Sequence, residues 1–116
     1  MTDSDSRPAR IVTRRVEREA DRYRWYVLRY LEKCTYPASV SELSEHVGPR
    51  VGVRPPVAED RLRTRDLPAL AGCGAIEYDP ESHLACLGHE SDSFVDCVRR
   101  AIRAGVVSHL KPPRFG

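Results

Sequence analysis

Long apolar runs are missing from this sequence. Its longest strongly hydrophobic stretch, Trp25-Tyr26-Val27-Leu28, falls far short of the roughly 20 residues that a helical bilayer span requires. The opening segment MTDSDSRPAR lacks the apolar centre of a secretory signal. The expectation is a soluble, cytoplasmic chain. Paired-cysteine and paired-histidine motifs are missing too. Cys34, Cys73, Cys86 and Cys97 include no C-x-x-C, and His46, His83, His89 and His109 include no H-E-x-x-H. Zinc-knuckle, thioredoxin-type redox and metalloprotease chemistry therefore have no sequence basis. Cys73, Cys86, His89 and Cys97 could in principle assemble a Cys3His site. The competing reading is four reduced, semi-buried thiols that fill small core gaps. No thiol sits beside a base in a pattern that suggests a nucleophile. We therefore expect no metal, no cofactor and no enzymatic activity.

Lysine is almost absent. Of 19 basic residues only Lys33 and Lys111 are lysines, and the rest are arginine, the better bidentate reader of phosphate and guanine. The net charge of +2 conceals an uneven distribution. Residues 1–33 carry nine Lys/Arg against six Asp/Glu, residues 34–98 five against eleven, and residues 99–116 five against none. An acidic middle between basic ends fits termini that lie near a polyanion, and solvated helix faces produce the same pattern. At 116 residues, with 41% hydrophobic and 31% charged, the chain holds one domain and one small core. There is no internal repeat.

What is present is an ordered series of short elements. Residues 1–7 are polar and expected to be disordered. From Pro8 to Cys34 apolar residues recur at threes and fours, which predicts one long helix, or two with a break near Glu19 to Arg22. Thr35 to Ser39, with Pro37, reads as a terminating loop. Val40 to Gly48 reads as a short helix capped by Ser39 or Ser41 that buries Leu43 and Val47. Gly48 to Pro56 reads as a loop bearing Arg50 and Arg54. A third helix is expected from about Val57 to Ala71, burying Leu62, Leu67, Leu70 and Ala71, with a kink or break at Pro68. On a wheel of 100° per residue Arg61, Thr64 and Arg65 face outward, while Arg63 falls near the core edge. Gly72-Cys73-Gly74 ends that helix. Ala75 to Asp79 and His83 to Leu87 alternate as two strands of a hairpin around Pro80-Glu81-Ser82. A last helix, capped by Ser91 or Ser93 and ended by Gly105, presents Phe94, Val95, Val98, Ala101 and Ile102. Residues 106–116 form an irregular tail.

Helix, short helix, helix and hairpin is the order of a winged helix-turn-helix domain, which offers its third helix to a major groove and its hairpin, the wing, to an adjacent groove or the backbone. The fold class expected is mainly α with a small β-hairpin, a single domain over residues 8–105 with helical extensions at both ends and its core in residues 22–87. The segments Trp25-Tyr26-Val27-Leu28-Arg29-Tyr30-Leu31, Val40 to Val47 and Leu67-Pro68-Ala69-Leu70 through Gly74-Ala75-Ile76-Glu77-Tyr78-Asp79 resemble the winged-helix domains of haloarchaeal regulators of the broad ArsR-like superfamily. That resemblance implies a DNA-binding transcription regulator. The paired cysteines of the metal-sensing members are missing here, so metal sensing is not implied. Two departures stand out. The chain is slightly basic where haloarchaeal proteins are generally acidic, and the loop Gly48 to Pro56 makes the link into the third helix longer than a minimal turn.

Two functions follow as expectations. One is a regulator of double-stranded DNA that places Arg61, Thr64 and Arg65 in the major groove, with Arg50, Arg54 and His83 near phosphates. Under the alternative those arginines pair with Glu59, Asp60 and Asp66 on a solvated surface. The second function is a protein-interaction module that keeps the fold without the DNA contact, favoured by the acidic middle and by Asp79 and Glu81 in the wing. A homodimer is expected through Ile11, Val12 and Val16 of the first helix and Phe94, Val95, Val98 and Ile102 of the last. The competing arrangement folds the last helix back onto its own domain.

Overall fold

The computed structural model describes residues 20–88 and 93–107. The expectations for Ile11, Val12, Val16, His89 and Ser91 lie outside these residues. Helix α1 covers residues 20–33 without a break. It buries Tyr23, Val27, Leu28 and Leu31, a spacing of threes and fours that lays one apolar stripe against the core. Trp25 is also buried, at 1% exposure.

Ala38–Ser39 forms a two-residue strand, β1, in the segment expected to be only a loop. Ser39 then caps helix α2, Val40–Val51, its side-chain oxygen accepting from the Glu42 N–H. The expected stop at Gly48 does not occur, and α2 runs on through Gly48 and Pro49 to end at Gly52, whose φ of 79° is left-handed. Gly48 serves a different purpose. A Cβ there would lie 3.0 Å from the Val53 carbonyl oxygen and 3.4 Å from Pro55, so its lack of a side chain lets the chain turn back tightly. The link into the next helix is therefore Gly52 to Arg54, three residues, which corrects the expectation of a long loop.

Helix α3, Pro55–Arg61, starts on two prolines whose missing N–H groups cost nothing in a first turn. A π-helical turn, Leu62–Asp66, follows, and the helix resumes as α4, Leu67–Gly72. The break expected at Pro68 takes this form. Pro68 stands in the first turn of α4, where it needs no donor. The wider turn inserts a residue into the helical phase, so Leu62, Asp66, Leu67 and Leu70 all reach the core with no exposure. Truncating one of these leucines should cost about 2–5 kcal/mol.

Strands β2, Ile76–Asp79, and β3, Leu84–Leu87, form the hairpin. With β1 they make a three-stranded antiparallel sheet in the order β1-β3-β2, pairing Ala38 with Ala85 and Ile76 with Leu87. Helix α5, Phe94–Arg103, is capped by Ser93. Its Cys97, Val98 and Ala101, together with Val107, join the same buried cluster as Trp25, Leu28 and Leu62. The element order and the sheet are those of a mainly helical domain with a winged-helix layout. No helix among the described residues is long and apolar enough to cross a membrane.

Candidate nucleic-acid interface

The π turn decides which arginines face outward. Arg63, Thr64 and Arg65 lie within it and are exposed, whereas Arg61, one residue before it, is turned inward. The wheel reading of Arg61 and Arg63 is thus reversed, because uniform steps of 100° fail across a turn of π geometry. Arg61 Nε donates to Asp66 Oδ2 at 3.3 Å, and its guanidinium lies 4.4 Å from the centre of the Tyr23 ring. Arg24 Nε donates to the other carboxylate oxygen at 3.0 Å, and Arg24 Nη1 donates to the Val106 carbonyl at 2.8 Å. Asp66 is fully buried. Burial pushes its carboxyl above the usual range, and the two guanidiniums pull against that shift. Its place is structural: it joins α1, the π turn and the segment after α5.

The outward group is differently engaged. Arg63 Nη2 stands 3.6 Å from Asp60 Oδ1 at the surface. The Thr64 hydroxyl donates to the Asp60 carbonyl at 2.8 Å, and the residue is exposed. Arg65 is exposed and has no ion-pair partner among the described residues. Arg54 is exposed at the start of α3. Arg50 is exposed but partly committed, Nη1 donating to the His46 carbonyl at 2.8 Å while its own carbonyl accepts from Arg22 Nη2 at 2.9 Å.

His83 is exposed at the wing tip, in the turn rather than in the strand, with a φ of 59°. Its carbonyl accepts from the Val40 N–H at 2.9 Å, which fixes the wing tip to the start of α2. An open groove of about 310 Å³ lies between these parts and brings Arg63 and His83 together with Ser41 and Glu59. Arg63 is the member that the sequence reading missed. The one signal for it was Pro68, which marked a departure from regular helix. The rest of the wing is acidic. Asp79 accepts from the Glu81 N–H at 3.0 Å and the Ser82 hydroxyl at 2.9 Å, and these bonds hold its carboxyl below the usual range.

Of the residues expected at a dimer interface, Val98 is 4% exposed within its own core, Phe94 and Ile102 are half-buried and packed against that core, and Val95 is 50% exposed. The last helix thus folds onto its own domain. Cys34, Cys73, Cys86 and Cys97 are free thiols. Among the described residues no group of three or more His, Cys, Asp or Glu is placed to hold a metal ion. The chain matches no family model, no curated protein and no solved structure.

Proposed function

We propose that this chain is a small cytoplasmic regulator that binds double-stranded DNA through the outward face of the π turn, in the manner of the ArsR-like winged-helix regulators that its sequence resembles. The observation that carries this reading is the three-residue link Gly52 to Arg54. It joins α2 to α3 directly, and the π turn that follows leaves Arg63, Thr64 and Arg65 exposed, with Arg54 at the start of the same helical run. Arg63 and Arg65 have the forked donors that suit guanine, and the exposed Thr64 carries a methyl group of the kind that suits the methyl of thymine. In this reading the exposed Arg54 and His83 meet phosphates. Arg61 acts indirectly, by fixing the turn through Asp66. Two copies reading two half-sites would compensate for the modest affinity of one small domain.

Fluorescence anisotropy with labelled duplexes selected from a random pool tests this reading. Replacing Arg63 and Arg65 together by alanine should weaken binding by about 1–3 kcal/mol per lost bidentate contact and relax base preference. Arg54→Ala should weaken all sequences alike and flatten the salt dependence. Unchanged affinity in the Arg63, Arg65 double variant at low salt excludes this face as the reader. A second reading, a protein-interaction module, is favoured by one observation: Glu77, Asp79 and Glu81 make the exposed part of the wing acidic, which repels a phosphate backbone. Failure of any duplex to bind, with retained folding, would decide for it.

A further inference from the structure

The solvent face of the sheet carries a patch unrelated to the DNA reading. Strand alternation puts Ile76 and Ala85 into the core and leaves Glu77, Asp79 and Leu84 exposed on the other side, with Cys86 half-buried among them. The register sets Glu77 opposite Cys86 and Asp79 opposite Leu84. Together with Pro37 they line an open groove of about 350 Å³. Leu84 is 39% exposed, an apolar side chain directly across from Asp79.

Helix α5 bears the complementary surface. Val95, Arg99 and Arg103 follow each other at four-residue steps on its exposed side, opposite to Cys97, Val98 and Ala101. Val95 is 50% exposed, and Arg99 and Arg103 have no ion-pair partner among the described residues. The spacing matches as well as the sign. Four helical residues separate the two guanidinium stems by about 6 Å, and two strand residues separate the two carboxylate stems by about 7 Å. We infer that α5 of a second copy docks on the wing groove, Arg99 and Arg103 against Glu77 and Asp79 and Val95 against Leu84. The two surfaces differ, so the contact is head-to-tail rather than two-fold. Its small size makes it weak and salt-sensitive.

Sedimentation velocity on the full chain without DNA, over a dilution series at low and high salt, tests the contact. The wild type should associate at high micromolar concentration and dissociate as salt rises. Reversing the wing (Glu77→Lys with Asp79→Lys) or the helix (Arg99→Glu with Arg103→Glu) should each raise the self-dissociation constant by about tenfold or more. Mixing the two reversed proteins should restore association, because each then meets its opposite sign on the other. Since Asp79 also closes the hairpin turn, Glu77→Lys alone serves as a second wing variant and should give a partial loss, with circular dichroism confirming the fold of every variant. A monomeric wild type, or a mixture that fails to associate, overturns the inference. So does a closed dimer that survives both reversals, and so does loss on reversing the wing but not the helix, which would assign the groove to another cationic segment. DNA binding is measured separately on dilute protein, so neither result depends on the other.

Discussion

Arg24 and Asp66 lie 42 positions apart in the sequence and 3.0 Å apart in space, Nε to Oδ1. This pair ties α1 to the π turn, and Arg61 closes the other side of the same carboxylate. Asp66 is fully buried and each arginine side chain keeps 17% exposure. Removing the carboxylate leaves two guanidiniums facing each other. Asp66→Ala should therefore lose about 3–5 kcal/mol in urea unfolding, and Asp66→Asn, which keeps an acceptor, should lose less. Equal stability of Asp66→Ala and wild type would show that the two arginines are satisfied without it.

Arg61 and Arg65 should separate stability from recognition. Arg61 holds Asp66 and covers the Tyr23 ring, so Arg61→Ala should cost about 1.5–3 kcal/mol of stability. Arg65→Ala, on an exposed site, should stay within about 0.5 kcal/mol of wild type while weakening DNA binding. Parallel unfolding and anisotropy measurements would refute this division if Arg65→Ala proved the more destabilising.

The stability of the fold should fall on the acid side of neutrality through His46. Burial, then Arg50 and Lys33, lower its pKa from the usual 6.5, and its ring lies 4.6 Å from that of Tyr30. The unfolded chain then binds a proton at a pH where the folded chain does not. The contribution is complete above 6.5, is lost as pH falls towards the lower folded value, and levels off below it. Urea midpoints between about pH 8 and about pH 5 should drop less in His46→Gln than in wild type. Parallel curves for the two proteins would remove His46 as the cause.

Two glycines should respond to alanine with opposite signs. At Gly48 the new methyl meets the Val53 carbonyl at 3.0 Å, which should cost about 1–3 kcal/mol. At Gly72 nothing lies within 4 Å, and the loss of unfolded-state freedom should stabilise by about 0.4–1 kcal/mol. Thermal melts of the two variants check the pair.

Most of the core was legible because burial follows period. Tyr23, Val27 and Leu31, then Leu43 and Val47 stand where helical spacing puts them, Leu67 and Leu70 do so within their own half of the third helix while Leu62 joins them through the π turn, and Ile76 and Ala85 stand where alternation does. Three features were not legible. Strand β1 is two residues long and exists only through pairing with β3, so no local signal marks it. Gly48 and Pro49 have the residue types of a helix end, yet the close approach of Val53 and Pro55 decides their conformation. Arg61 and Arg63 exchange the roles that uniform helical steps assign them because the helical phase changes at Leu62–Asp66. The candidate site depended on that one change: spacing placed Arg65 outward, but Arg63 could not be chosen from spacing alone.

The same π turn bears on how this chain is to be aligned with any relative. A regular α-helix with the same inward faces would be one residue shorter between Arg61 and Leu67. An ungapped comparison matches either the α3 half or the α4 half of the helix, and sets the other half one position out of step. A single-residue gap placed within residues 62–66 brings both halves into register. Profiles that forbid gaps inside helices would score this chain poorly even against a domain of the same layout.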